Sequence, residues 1–335
     1  MLAIFWIFVF VLSVALLVKS ADLFTESAEK IGLALKISPF IIGVTIVAVG
    51  TSLPELASSL AAVFKGKNEI VVANVIGSNI FNMLFIVGLS AVVARRLTIR
   101  RSLIDLDAPL LACSTILFLF TSLDKKIVLG EGIFLFFGFL VYLLYTIYQK
   151  RELEEDETGE FFEVLPSRIE KKEKEVKIET EKAKEQKLDF KVFFFLILGI
   201  LGLVFASDYA IESLTKISKI LGIPASLIAI IGLAGGTSLP ELVVSVRAAA
   251  QKKYEISLGN IFGSNVFNIL TITSISSFFS HLTIDQLTFS VGFPFLLVAT
   301  FLFIISGISR RIHVWEGAMY LLIYFLFFVK LLGAF

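Results

Sequence analysis

Two stretches of this chain are copies of one another. Residues 50–82 and 236–268 align without a gap at an offset of 186, with 18 identities in 33 positions. Each opens on GTSLPEL inside an otherwise apolar run. Agreement over that length marks a duplicated unit. The same offset of 186 pairs Asp22 with Asp208, Glu26 with Glu212 and Leu35 with Leu221, so the unit begins well ahead of the motif. Whatever this chain folds into has to be built twice.

The surroundings of the copies restrict the material. Hydrophobic residues make up 57% of the chain, 34 of its residues are Phe, and mean hydropathy is +0.90, which no ordinary soluble domain shows. Charge is bunched: residues 150–189 hold 24 of the 59 Lys, Arg, Asp and Glu. A spanning helix needs about 20 apolar residues. Roughly ten such segments are expected, near 2–19, 38–63, 70–94, 106–122, 127–148, 190–210, 222–248, 255–279, 287–307 and 313–333. Lipid forces each backbone group to find its partner within the segment, which favours helices, and the alternating pattern of a membrane barrel is missing. The first segment lacks the basic residue that precedes a signal peptide's apolar core and has a counterpart in the second half, so it is expected as a mature helix. The expected fold is therefore an all-α polytopic membrane protein of about ten transmembrane helices: a first five-helix repeat over 1–149, a charged linker over 150–189 and a second five-helix repeat over 190–335.

An odd number of helices per unit makes the second copy enter the membrane from the opposite side, an inverted repeat. Placing the N-terminus outside gives the short inside connections twelve basic residues, among them Arg95, Arg96, Arg310 and Arg311, against seven outside. Cations accumulate on the cytoplasmic side. That predicts a multi-pass cell-membrane protein with the N-terminus outside and the linker in the cytoplasm.

The motif has a readable chemistry. Proline in a helix lacks a donor and clashes with the carbonyl four residues back, so Pro54 and Pro240 are expected to leave the Gly50 and Gly236 carbonyls bare. Bare carbonyls at membrane depth are tolerated only when buried in protein or lining a wet cavity. Helical spacing gathers Thr51, Ser52 and Ser59 around Glu55. The next segment carries Asn74, Ser78 and Asn82 as a polar stripe, with Asn260, Ser264 and Asn268 as its copy; for Asn74, Asn79, Asn260 and Asn265, ion contact and interhelical bonding remain equally open. Carboxylate, hydroxyl, amide and main-chain oxygens without thiolate or imidazole suit hard cations such as Ca²⁺, Mg²⁺ or Na⁺. Cys113 stands alone, and His281 and His313 have no partner at ligand spacing.

An ionised glutamate near the bilayer centre costs about 2.5 to 3.5 kcal/mol on insertion scales, and this chain carries one at each of two symmetric positions. Two facing carboxylates balance one Ca²⁺, two Na⁺ or two protons. A loaded site is close to neutral and can be carried across; an empty one resists closing off from water. Exchange follows, because the carrier returns only with a replacement load.

Both copies, GTSLPEL…NVIGSNIFN and GTSLPEL…NIFGSNVFN, resemble the alpha-repeats of the sodium/calcium exchanger family, within the wider cation/calcium antiporter superfamily. The resemblance implies a secondary active antiporter, not an enzyme and without a cofactor, which exchanges Ca²⁺ for Na⁺ by alternating access. It implies ligands at Thr51, Ser52, Glu55, Ser78 and Asn82 and at Thr237, Ser238, Glu241, Ser264 and Asn268, with main-chain oxygens near Ala48 and Ala234. The two glutamates would be shared between a Ca²⁺ site and flanking Na⁺ sites. Some relatives, including potassium-dependent ones, have aspartate where this chain has Asn268, so a K⁺-coupled cycle is weakened; Ca²⁺/H⁺ exchange stays as the alternative, although that branch usually carries Gly-Asn before its acid.

Other classes fit less well. An intramembrane protease typically uses two aspartates, and no Gly-x-Gly-Asp stretch occurs here. A channel usually assembles its pore from several subunits, whereas one copy of this chain suffices for a two-repeat carrier. No nucleic-acid partner is expected, and a formal net charge of +1 says nothing about one. The linker reads as a solvated segment, and Asp22, Glu26, Asp208 and Glu212 as interfacial residues near helix ends.

Overall fold

A computed structural model describes residues 2–35, 37, 39–98, 108–163, 190–221 and 236–333. Within them the chain forms α1 (Leu2–Leu35), α2 (Pro39–Phe64), α3 (Glu69–Ala94), α4 (Ala108–Thr121), α5 (Leu129–Glu163), α6 (Phe190–Ile220), α7 (Leu239–Ala250), α8 (Tyr254–Phe279), α9 (Thr288–Ile308) and α10 (Val314–Leu331). Eight of these are long and apolar enough to cross a membrane. The apolar α4 is shorter, and α7 is the described end of the segment expected at 222–248, whose earlier part lies outside the described residues.

One expectation needs correction. The first helix does not end near Lys19 but runs to Leu35, so Asp22 and Glu26 sit well inside it. The reason is tertiary: Ala21, Phe24 and Ala28 are buried on the side that packs on α6, and that seam sustains the helix past the point where mean hydropathy falls. Likewise α5 continues to Glu163, into the charged segment.

The two halves carry the same irregularities 186 residues apart. Helix α3 widens into a π-turn at Phe81–Ile86 and α8 at Phe267–Ile272. The α2–α3 turn has Gly66 at φ 70°, and the α7–α8 turn has Lys252 at φ 63°. Short strands β1 (Arg96–Thr98), β2 (Lys126–Ile127), β3 (Leu282–Thr283) and β4 (Arg311–His313) follow the rule too: β1 pairs with β4 and β2 with β3, all antiparallel. Since β3 is the repeat mate of β1 and β4 that of β2, each pair joins one half to the other. An all-α membrane protein made of two inverted repeats results.

The interior belongs to α2, α3 and α8, of which α8 is the most enclosed, buried at every residue from Ile256 to Ser274. The contact between α2 and α8 is made through glycine. A Cβ at Gly263 would stand 2.3 Å from the Val44 carbonyl oxygen and 2.6 Å from the Ala48 Cβ. Small residues of this kind let helix backbones approach in a membrane, and here they bring the end of the first half-helix of α2 against the Gly-Ser-Asn stretch of α8.

Candidate ion-binding site

The chain breaks where the prolines demand it. Helical geometry in α2 ends at Thr51, Ser52 takes φ −86° and ψ 6°, and the helix resumes at Leu53 with Pro54 in its first turn. Ser238 takes φ −88° and ψ 13° before Leu239 and Pro240 in the same way. Proline fits the first turn of a helix because its missing N–H has no intrahelical partner there. The prediction of bare carbonyls is corrected in the second half: the Gly236 oxygen accepts a 3.2 Å hydrogen bond from the Ser207 hydroxyl of α6. The repeat mate of Ser207 is Ala21, which has no hydroxyl to offer.

At the breaks the two halves cross. Ser52 Oγ donates to Glu241 Oε1 at 2.9 Å, and Ser238 Oγ donates to Glu55 Oε1 at 2.8 Å. Each glutamate is thus held by the serine of the other repeat, as a pseudo-twofold axis between them requires. Both carboxylates are fully enclosed, at 1% and 0% exposure. Among the described residues no third acid, His or Cys joins them.

Several of the predicted ligands carry atoms unpaired within the described chain, as do other buried polar residues such as Ser90, Ser257 and Asn265. Among the described residues the second carboxylate oxygens Glu55 Oε2 and Glu241 Oε2 have no hydrogen-bond partner, nor do the hydroxyls of Ser78, Ser264 and Thr237, either amide atom of Asn82, or Asn268 Oδ1. Buried polar atoms are normally satisfied, and unpaired carboxylate, hydroxyl and amide oxygens are the kind of donor a dehydrated hard cation takes. Thr51 differs, since its hydroxyl lies 3.0 Å from Asn260 Oδ1 and 3.3 Å from the Ala48 oxygen. Every predicted ligand except one lies in the described part of the chain; Ala234 falls outside it.

The structure also separates the asparagines that the sequence left open. Asn260 receives Thr51 and donates to Ser245 Oγ at 2.9 Å. Asn74 is tied to Ser58 at a long 3.5 Å, and Asn79 is bonded to α8 through both ends of its amide. Asn265, the fourth, has neither amide atom bonded among the described residues. Ser245 and Ser207 were not singled out as candidates; Ser245 is the mate of Ser59, which was, and the repeat alone would have found it.

A family model, described as sodium/calcium exchanger protein, matches residues 5–148 and 191–333. The chain belongs to the sodium/calcium exchanger family. It is 32% identical to the sodium/calcium exchanger MaX1 of Methanosarcina acetivorans, over 96% of this chain and 97% of that one. Identity to the putative antiporter CaxA of Alkalimonas amylolytica is 30%, over 94% and 95%. Among solved structures, the sodium-calcium exchanger NCX_Mj soaked with zero Na⁺ and Ca²⁺ superposes with a TM-score of 0.75 at 26% identity, covering 99% of this chain and 100% of that one. This exchanger is accordingly a multi-pass cation/calcium antiporter.

The exchanger's two broken helices are covered unequally, although the serine and glutamate at each break are buried. On the resumed half of α2, Leu53 is 39% exposed, and Ala57 and Ser58 are exposed as well. Their mates on α7, Leu239 and Val243, are half-buried, and Val244, the mate of Ser58, is fully buried. Helix α7 is covered by α1, and ion pairs fasten the cover. Asp22 takes Arg247 Nε at 2.8 Å, Arg247 Nη2 at 3.1 Å and Gln251 Nε2 at 2.9 Å, while Lys253 Nζ meets Glu29 at 2.6 Å. Asp22, expected as an interfacial residue, is thus an interhelical tie. In the other half Ala61 stands where Arg247 has its mate and Thr215 where Glu29 has its own, so the sequence cannot build the same fastening there.

Proposed function

We propose that this exchanger moves Ca²⁺ in one direction against Na⁺ in the other by alternating access, holding its ions between the two GTSLPEL breaks. The observation that carries the reading is the reciprocal pair of serine–glutamate bonds, which joins the two breaks and leaves the second oxygen of each buried carboxylate without a partner among the described residues. Glu55 and Glu241 supply the charge. Thr51, Ser52, Thr237, Ser238, Ser78, Ser264, Asn82 and Asn268 supply neutral oxygens, joined by the main chain at Ala48 and Ala234. Two carboxylates neutralise one Ca²⁺ or two Na⁺, so either load can be enclosed, whereas the doubly charged empty site opposes closure.

The difference in exposure between α2 and α7 supports two-sided access, with α7 covered by α1 while the resumed half of α2 stays exposed. With the N-terminus outside, the linker at 150–189 in the cytoplasm and the five-helix units at 1–149 and 190–335, the exposed half of α2 faces the extracellular side.

The test is ⁴⁵Ca²⁺ uptake into proteoliposomes loaded with Na⁺, H⁺ or K⁺ in turn, using wild type, Glu55→Gln and Glu241→Gln. The expected result is uptake driven by the Na⁺ gradient and lost in both variants. Uptake that follows the H⁺ or K⁺ gradient instead replaces Na⁺ as the coupling ion. Uptake that needs no counter-gradient, or survives both substitutions, overturns the reading.

A further inference from the structure

Asn79 and Asn265 are repeat mates whose amides are engaged differently. Asn79 Nδ2 donates to the main-chain oxygen of Asn265 at 3.0 Å, and Asn268 Nδ2 donates to Asn79 Oδ1 at 3.1 Å. All three residues are buried. The two ends of a side-chain amide are assigned from the bonds they make, and here the bonds permit one assignment. A main-chain carbonyl only accepts, so the NH₂ of Asn79 faces it and its oxygen turns toward Asn268. An amide oxygen also only accepts, so Asn268 meets Asn79 with its NH₂. Asn268 Oδ1 is left pointing elsewhere, and it is the atom of that amide without a partner among the described residues.

We propose that Asn79 is a positioning residue that holds the Asn268 amide with its oxygen, and not its NH₂, turned to the transported cation. The proposal rests on the reading of Asn268 as an ion ligand. A reversed amide would set two N–H donors against the cation and repel it. The fixed point of the relay is the backbone of α8 at Asn265, one helical turn before Asn268, so the orientation is carried by α3 and α8 together. In the first repeat, neither amide atom of Asn82 is bonded among the described residues. The orientation is therefore imposed on one repeat's asparagine and left free on the other's.

A carboxylate at 268 has two equivalent oxygens and needs no orienting, which gives a double-mutant cycle with a sign. In wild type, Asn79→Leu keeps the branched shape but removes the acceptor for the Asn268 NH₂. The half-saturating Ca²⁺ concentration for Na⁺-driven ⁴⁵Ca²⁺ uptake should rise about 10- to 100-fold, the usual effect of losing a residue that orients a metal ligand, with little change in maximal rate. In Asn268→Asp the Asn79 oxygen faces a carboxylate oxygen, so adding Asn79→Leu should leave half-saturation unchanged or lower it. Asn79→Ala, measured in the same two backgrounds, repeats the cycle should the leucine variant not fold, and melting temperatures in detergent identify such a failure. Equal fold-changes in the two backgrounds would overturn the proposal, because a merely structural role is indifferent to the residue at 268. So would an unchanged half-saturation in Asn79→Leu. If uptake is lost in Glu55→Gln but the cycle is additive, the positioning role fails while the ion site stands; if uptake ignores Glu55 and Glu241, the site itself fails.

Discussion

Replacing Gly263 by alanine tests the contact on which the site is assembled. The added Cβ would stand 2.3 Å from the Val44 oxygen, 2.6 Å from the Ala48 Cβ and 2.8 Å from the Val44 carbonyl carbon, where ordinary contact begins at 3.4 Å. All three are backbone atoms or a Cβ, so no rotamer change relieves the clash. The first half of α2 has to withdraw from α8 by roughly 1 Å. Overpacking of this kind costs typically about 1–3 kcal/mol, and it also carries the Ala48 carbonyl and Thr51 away from the site. Functional groups need placing to within about 0.5 Å, so the displacement should raise half-saturating Ca²⁺ about tenfold or more. The assay pairs a melting curve of the purified protein in detergent with ⁴⁵Ca²⁺ uptake in proteoliposomes. Gly130→Ala, at the start of α5 with no described atom within 4 Å of its added Cβ, serves as the control and should behave as wild type. A Gly263→Ala protein that melts and transports like wild type would refute the tight α2–α8 seam and the placement of Ala48 and Thr51 that depends on it.

Ser52→Ala and Ser238→Ala each delete one hydrogen bond to a buried carboxylate, at 2.9 and 2.8 Å, worth about 1.5–3 kcal/mol for a charged acceptor. Both should raise half-saturating Ca²⁺ about tenfold or more, and by factors within about threefold of one another; a strong effect in only one would contradict the reciprocal geometry. Asp22→Asn weakens the fastening of α1 to α7; partly exposed ion pairs are worth up to about 1 kcal/mol, so the balance between states should move by up to about fivefold toward the state that covers α2. A cysteine introduced as Ser58→Cys in a Cys113→Ser background, reacted with a membrane-impermeant maleimide, should label correspondingly more slowly. At the start of α9, partial burial favours the neutral form of Asp285, but hydrogen bonds from the Thr288 hydroxyl and nearby backbone N–H groups outweigh it and hold the carboxyl below its usual range. Its stabilisation is therefore present above about pH 3.9, the unfolded value, and is lost as pH falls through the lower folded one; melting temperatures of Asp285→Asn below about pH 4 should fall less steeply than those of wild type.

Much of the fold was legible because duplication and hydropathy are both linear properties of a sequence. The repeat located the two breaks, the stripe on α3 and its copy on α8, and the inversion follows from the number of segments. The length of α1 was not legible, since what sustains it past Lys19 is burial of Ala21, Phe24 and Ala28 against α6, a partner some 180 residues away in the chain. The cap on the Gly236 carbonyl was hidden for the same reason: Ser207 becomes a donor only once α6 lies beside the break. The asparagines were legible as a group but not in their roles. Asn79 and Asn82 are the same residue type one helical turn apart, and the π-turn at Phe81–Ile86, which no composition announces, rotates everything after it relative to everything before.

The differences between the two copies carry as much meaning as the identities. Thr51, Ser52, Glu55, Ser78 and Asn82 are matched residue for residue by Thr237, Ser238, Glu241, Ser264 and Asn268. If each half in turn forms the open side of the site, identical ligand residues make the energy of a bound cation similar in the two states, and the site alone favours neither. A preference has to come from positions where the copies diverge. Arg247 against Ala61 and Glu29 against Thr215 are such positions, and both lie in the fastening of α1 to the α7–α8 turn. A ligand that bound both states equally would shift nothing, however tightly it bound. Under the proposed cycle, the fastening of α1 to α7 is therefore one place where a preference between states can be set, while the ions permit the passage between them.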